Sequence, residues 1–299
     1  MTPAARYAAA IEILDRAMAG LSAERELTSW SRSNRFAGSK DRAAIRDIVF
    51  DGLRNLRSFA HISGLSGARG VLVGRLLNAG EDVSSVFNGE GYGPLPLSDE
   101  ECVVVAKPKG EMPRAVGLDV PDWLEPYFDG DDDYARLKMR APIDLRVNLR
   151  KSNLTKAARA LALDGIETDP VDVASTALRV RGETRKIPQT TLYKNGDVEL
   201  QDAGSQALIE ALEMPQTGRV LDYCAGGGGK TLAMTARAGN SVQFSAYDID
   251  QDRLRGLRER AQRADIRVKL LKGDPVKDKH KYDLIVLDVP CSGSGAWRR

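Results

Sequence analysis

The sequence is poor in the residues that build disulfide frameworks and zinc sites. Its 299 residues contain only three cysteines, Cys102, Cys224 and Cys291, and two histidines. Three scattered cysteines are too few for a disulfide framework, and with two histidines they form no zinc-ligand spacing. We therefore expect a reduced, cytoplasmic protein that holds no metal.

Long apolar runs and a strong charge of either sign are also lacking. No stretch approaches the roughly 18 consecutive apolar residues of a membrane-spanning helix, and the first residues do not have the pattern of a secretory signal peptide. The net charge is +2, which neither requires nor excludes a nucleic-acid partner. We expect no association with a membrane.

The most distinctive stretch that is present covers residues 220–231, with the sequence VLDYCAGGGGKT. It predicts a strand, a glycine turn and a helix start, where backbone N–H groups can approach a carboxylate or phosphate. Three interpretations are open at this point. A Walker A loop would need glycine where Cys224 stands, and a dinucleotide fingerprint starting at Gly226 would end on Thr231 instead of glycine or alanine. The third is a flexible loop without a ligand.

The first part of the chain is predicted to be helical, and the middle part mixed. Apolar periodicity predicts helices at 3–19, 41–59, 69–79 and 98–107. We expect an all-α domain over residues 1–130 and a small α+β subdomain over residues 131–204, with a helix at 154–163. The arginines and lysines of both regions have two interpretations, a solvated surface or RNA contacts.

Residues 205–299 alternate between predicted strands and helices, which indicates a Rossmann-like parallel sheet. Predicted strands end at Asp248, Asp274 and Asp288, and parallel sheets bind ligands at the carboxyl ends of their strands. An acid at the second strand end, with a glycine turn before it, predicts a site for a nucleoside and an anion. S-adenosylmethionine fits this site, with its ribose at Asp248, its adenine near Asp274 and its carboxylate at the glycine turn.

Two motifs together carry a resemblance to a known family. Asp222-x-Cys-Ala-x-x-Gly-Gly-Lys-Thr and, starting at Asp288, Asp-x-Pro-Cys-Ser-Gly-x-Gly resemble the Sun-type (Fmu, RsmB-like) RNA cytosine-C5 methyltransferases. Upstream, the segment around Asp41 resembles their NusB-like RNA-binding domain, and Pro121-Asp-Trp-Leu their linker. The resemblance implies an α/β class I methyltransferase fold with strand order 3-2-1-4-5-7-6, adenosylmethionine as cofactor and 16S rRNA as substrate. We expect a monomer.

The resemblance also implies which residues contact the cofactor. These are Cys224, Ala225, Gly226, Gly227, Gly228, Gly229, Lys230, Asp248, Asp274 and Asp288. Gly227 departs from the family, which commonly has proline there. We expect this departure to loosen the turn but to leave its N–H groups available.

The reaction of this family needs a thiolate that adds to C6 of cytosine before C5 is methylated. By resemblance, that nucleophile lies in a Thr-Cys motif on the next strand, and Cys291 helps to release the product. In a rival role, Cys291 itself attacks C6, as the Pro-Cys cysteine of DNA cytosine methyltransferases does.

Residues 1–299 contain no Thr-Cys pair. We expect the chain to be truncated after the fourth strand, inactive, and prone to aggregate through an exposed edge strand. Two other functions are open: an RNA- or adenosylmethionine-binding protein without activity, and a nucleotide-dependent phosphotransferase that uses Gly229-Lys230-Thr231.

Overall fold

A computed structural model describes residues 1–127, 130, 136–182, 184–277 and 281–291. One compact unit contains Met1–Ala141, and a second begins at Pro142. The described part of the first unit is helical and has no strand. Its α-helices are α1 (Pro3–Met18), α2 (Ala23–Ser33), α3 (Ser39–Arg54), α4 (Leu56–Ser63), α5 (Gly67–Asn78), α6 (Asp99–Ala106) and α7 (Arg114–Gly117).

The core of the first unit forms from the apolar stripes of α1, α3, α4 and α5. Leu14, Ile45 and Leu72 are fully buried in one cluster. The helices α4 and α5 approach closely because Gly74 has no side chain; a Cβ there would lie 1.9 Å from the carbonyl oxygen of Phe59. The buried apolar side chains of each helix form the face that packs against its neighbours.

The prediction of a single helix over 41–59 was wrong. The chain breaks at Asn55, which has φ −120° and ψ 32° and separates α3 from α4. The Asn55 side-chain amide donates to the carbonyl oxygen of Asp51 (3.0 Å). The carboxylate of Asp119 accepts from the N–H groups of Arg57 (2.7 Å) and Ser58 (2.8 Å), at the start of α4. The helix cap is therefore supplied by a distant loop, which periodicity does not detect.

Replacing Asp119 by alanine is expected to destabilise the first unit by about 2–4 kcal/mol, because it removes a buried cap and several hydrogen bonds at once. The Asp119 side chain is only 3% exposed and also pairs with Lys138 (2.6 Å). Urea unfolding measures the change. The control is Asp122→Ala, which removes a 79% exposed carboxylate paired with Arg57 and is expected to cost under about 1 kcal/mol. Equal losses in the two variants would contradict the assignment of the cap.

The second unit contains two sheets with helices packed on them. The first sheet is antiparallel in the order β2-β3-β1-β4, and the second is parallel in the order β7-β6-β5-β8. The strands are β1 (Asp144–Val147), β2 (Glu167–Pro170), β3 (Ala177–Arg181), β4 (Val198–Leu200), β5 (Gly218–Asp222), β6 (Val242–Ala246), β7 (Val268–Leu270) and β8 (Leu284–Val286). The α-helices are α8 (Leu154–Leu163), α9 (Thr191–Asn195), α10 (Ala203–Glu210), α11 (Gly229–Arg237) and α12 (Arg255–Arg263).

The predicted α+β region and the parallel sheet are confirmed, and the order of the four parallel strands is the 3-2-1-4 that the resemblance implies. Within the described residues, β8 pairs only with β5, and Ile285 on it is 50% exposed. Three parallel strands are shorter than predicted. β6 ends at Ala246, β7 at Leu270 and β8 at Val286, so Asp248, Asp274 and Asp288 follow the strands instead of ending them. They still lie at the carboxyl edge of the sheet.

The antiparallel sheet is attached to the parallel sheet by donors from β1 and the turn after it. Arg146 donates to the carbonyl oxygen of Gly229 (2.9 Å), and Asn148 to that of Ala264 (3.1 Å). Lys151 donates to the carbonyl oxygen of Arg263 (2.7 Å). The last two acceptors lie at the carboxyl end of α12, where positive and donor groups are favourable. The small sheet thus fixes the two helices that flank the glycine turn.

Candidate functional site

The glycine turn connects β5 to α11 and has a backbone conformation that favours glycine. Gly226 and Gly228 have φ of 52° and 81°. A Cβ on Gly228 would also lie 2.2 Å from Cδ1 of Leu257. The first bond of α11 runs from the N–H of Leu232 to the carbonyl oxygen of Gly228 (2.9 Å). The N–H groups of the three residues between them are therefore available to an anion.

The carboxylate of Asp248, in the loop that follows β6, holds this turn through hydrogen bonds. One oxygen accepts from the N–H of Gly226 (2.8 Å) and the other from the N–H of Asp250 (2.9 Å). Asp248 is 2% exposed, and the guanidinium of Arg253 lies 3.5 Å away. The acid predicted to bind a ribose therefore also holds the glycine turn in place.

Asp222, the last residue of β5, is a buried acid with an unused acceptor. The hydroxyl of Thr231 donates to its Oδ2 (2.6 Å), whereas Oδ1 has no partner among the described residues. Burial raises the pKa of Asp222 to about 6, and the negative charges of Asp288 and Asp248 act in the same direction. A buried acceptor without a donor indicates a place for a cationic or donating ligand group. Thr231 itself is fully buried, so its hydroxyl is not placed to bind a metal and phosphate as in a Walker A loop.

The remaining predicted residues come together around the same edge. Lys230 pairs with Asp288, and Asp274 accepts from the Tyr223 hydroxyl (3.1 Å). Burial raises the pKa of the Cys224 thiol, as do the surrounding carboxylates, so the thiol stays protonated and weakly reactive. Cys291 is exposed and follows Asp288 by three positions.

Two apolar residues at this edge were missed from the sequence. Ile249 directly follows Asp248 and is 89% exposed, and Val276 follows Asp274 by two positions and is 76% exposed. Asp248 is buried and Asp274 half-buried, and apolar side chains next to a few polar groups are the usual lining of a small-molecule site. The signal that could have found them is an apolar residue just after a strand-end acid.

Neither a metal-binding cluster nor a membrane-spanning helix is found in the described part of the chain. No group of three or more histidine, cysteine, aspartate and glutamate side chains in it is arranged to hold a metal ion. Its helices include none with the length and apolar character that a membrane span needs.

Comparison with known proteins identifies the relatives of this chain. Residues 209–299 match the family model described as 16S rRNA methyltransferase RsmB/F. The chain is 28% identical over 188 residues to the probable ribosomal RNA small subunit methyltransferase B of Bacillus subtilis, and 32% identical over 164 residues to the corresponding protein of Xylella fastidiosa. These matches cover 60% and 53% of this chain, but only 42% and 38% of the relatives' own lengths.

The fold comparison covers more of the chain. The crystal structure of PH0851 superposes on all of this chain and on 76% of its own length, with a TM-score of 0.73 at 19% identity. That level of identity shows the fold alone, and the fold agrees with an all-α region followed by an antiparallel and a parallel sheet. Residues 209–299 are thus similar to the 16S rRNA methyltransferases of the RsmB/F family, and the fold of the chain agrees with that similarity.

Proposed function

We propose that this chain belongs to an enzyme that methylates C5 of a cytidine in 16S rRNA with S-adenosylmethionine as donor. The observation that carries the proposal is an anion site directly beside a cation site. The free N–H groups at the start of α11 suit a carboxylate. The buried carboxylate of Asp222, with Oδ1 unpartnered, suits a positive group. The methionine end of adenosylmethionine carries both, because its carboxylate lies next to an ammonium and a sulfonium.

The residues of the site have separate roles in this proposal. The glycine turn from Gly226 to Gly229 receives the donor's carboxylate, and Asp248 receives its ribose. The adenine lies near Asp274, between the exposed side chains of Ile249 and Val276. Bound adenosylmethionine supplies an activated methyl group, and the protein's part is to orient it and to keep water away. The ion pair between Lys230 and Asp288 connects the start of α11 to the residues that follow β8.

Cys291 is proposed to act beside the donor, on the nucleotide that is methylated. Its motif favours the role of helping to release the methylated product; direct attack on C6 is the rival role. Since residues 1–299 contain no Thr-Cys pair, we expect this polypeptide to bind the donor without completing methyl transfer. The all-α unit is proposed to contact the rRNA, because the curated relatives are named as methyltransferases of the small-subunit RNA.

Titration calorimetry with adenosylmethionine and with Mg-ATP tests the proposed ligand. We expect adenosylmethionine to bind and Mg-ATP not to bind, because carboxylates beside the glycine turn repel a polyphosphate. The affinity for adenosylmethionine should rise as the pH increases through about 6, where Asp222 ionises. Binding of Mg-ATP instead would favour the phosphotransferase, and methyl transfer to 16S rRNA by residues 1–299 alone would contradict the expected inactivity.

A further inference from the structure

Arg146 is a buried cation next to the glycine turn and contacts no carboxylate of the described residues. It is the one buried arginine in this part of the chain, at 4% exposure. Its Nη1 donates to two neutral acceptors, the side-chain oxygen of Gln201 (2.8 Å) and the carbonyl oxygen of Gly229 (2.9 Å), and its Nε has no partner among the residues that the structure describes. The charge is thus left without a paired anion beside the first residue of α11.

Glu199, the acid whose charge acts on Arg146, does not neutralise this charge by contact. Glu199 attracts Arg146 at longer range, but its carboxylate is bound by two other arginines, Arg260 (3.2 Å) and Arg263 (2.6 Å). Burial lowers the pKa of Arg146 to about 10, so the guanidinium still carries its charge at neutral pH. Burying an unpaired cation is costly, and a neutral amide would serve the two neutral acceptors equally well.

The position of the Arg146 charge, at the start of α11, favours the binding of an anion there. The start of a helix already has positive potential from its free N–H groups, and α11 begins at Gly229. A guanidinium beside that residue adds to the potential, which is unfavourable in the empty site and favourable once an anion is bound. Arg146 is nine-tenths buried, so solvent screens its charge weakly.

We infer that Arg146 is a positioning residue that selects for the carboxylate of the ligand at the glycine turn, through its charge and without touching the ligand. The inference rests on the proposed function, because it takes adenosylmethionine as the ligand. Gln201 contributes to this role, because its neutral side-chain oxygen holds the Arg146 guanidinium in place without neutralising the charge.

A pair of ligands that differ only in the carboxylate tests the inference, namely adenosylmethionine and decarboxylated adenosylmethionine. The measured quantity is the ratio of their dissociation constants. Arg146→Met removes the charge at nearly constant volume. Gln201→Glu keeps the arginine and pairs it with an anion. Both variants are expected to reduce the preference for the carboxylate about five- to ten-fold, the size of one charge interaction at an intermediate dielectric, whereas Arg146→Lys should largely preserve it.

The matched control is Arg150→Met. Arg150 comes from the same segment but donates to Asn240 (2.7 Å) and to the carbonyl oxygen of Thr235 (3.4 Å), near the other end of α11. This variant should leave the ratio within about two-fold, because its charge lies far from the helix start. If Arg146→Met does not fold, Gln201→Glu still decides the question.

The inference about Arg146 and the proposed function are contradicted by different results. An unchanged ratio in Arg146→Met and Gln201→Glu, or an equal loss of affinity for both ligands, would show that Arg146 has only a structural role. Failure of the wild-type chain to bind either ligand would instead overturn the proposed function.

Discussion

Gly228→Ala is expected to reduce adenosylmethionine binding on the order of 100-fold, which corresponds to about 3 kcal/mol of lost binding free energy. Gly228 has φ of 81°, and its added Cβ would lie 2.2 Å from Cδ1 and 2.8 Å from Cγ of Leu257. The side chain of Leu257 is fully buried and packs in the apolar cluster beneath the turn. The left-handed conformation costs alanine about 1–2 kcal/mol, and overpacking adds about 1–3 kcal/mol. The turn therefore has to shift, and the N–H groups of α11 shift with it.

Gly227→Ala is the matched control for this prediction. Gly227 is not in the left-handed region, and a Cβ there would meet only the end of the flexible Arg260 side chain, at 3.2 Å. We expect a change in affinity below about three-fold and a change in stability within about 1 kcal/mol. Calorimetry with adenosylmethionine and thermal unfolding measure both variants. Similar losses of affinity in the two would show that the conformation of Gly228 does not determine the site.

Asp222→Asn is expected to stabilise the ligand-free protein at pH 8 and to have little effect at pH 4. The folded-state pKa of about 6 lies above the ordinary value of 3.8. Protonated Asp222 therefore contributes stability that is fully present below about pH 4 and is lost as the pH rises through about 6. Asparagine avoids this loss and still offers an oxygen to the Thr231 hydroxyl. The gain at pH 8 is at most about 3 kcal/mol, from roughly two pKa units.

Urea unfolding between pH 4 and pH 8 measures this effect. Asp172→Asn, which removes an exposed carboxylate of the same unit, is the control and is expected to change stability by less than about 0.5 kcal/mol at either pH. The Asp222 variant should also bind adenosylmethionine more weakly above pH 6, because the positive groups of the ligand lose an anion. A stability gain of the same size at pH 4 and pH 8 would show that packing, and not ionisation, is responsible.

Elements with local signals were predicted well, and elements defined by distant partners were not. The helix α8 has the predicted bounds of 154–163, because Asn153 caps it through a side-chain bond to the N–H of Lys156 and its apolar periodicity is regular. The strand β2 was missed, since its residues Glu-Thr-Asp-Pro are polar and it is a strand only by pairing with β3. The break between α3 and α4 was missed for the same kind of reason, because Asp119 supplies the cap.

The sequence by itself determined the glycine turn, the acids at the ends of the parallel strands and the type of sheet that brings them to one edge. These follow from residue spacing and from the backbone preferences of glycine, which act over a few positions. Only the tertiary structure decided that Asp222 Oδ1 has no partner, that Asp248 braces Gly226, and that Arg146 lies beside Gly229. Each of these depends on which groups the packed chain brings close and which it leaves unpaired, and no local pattern of residues specifies that outcome.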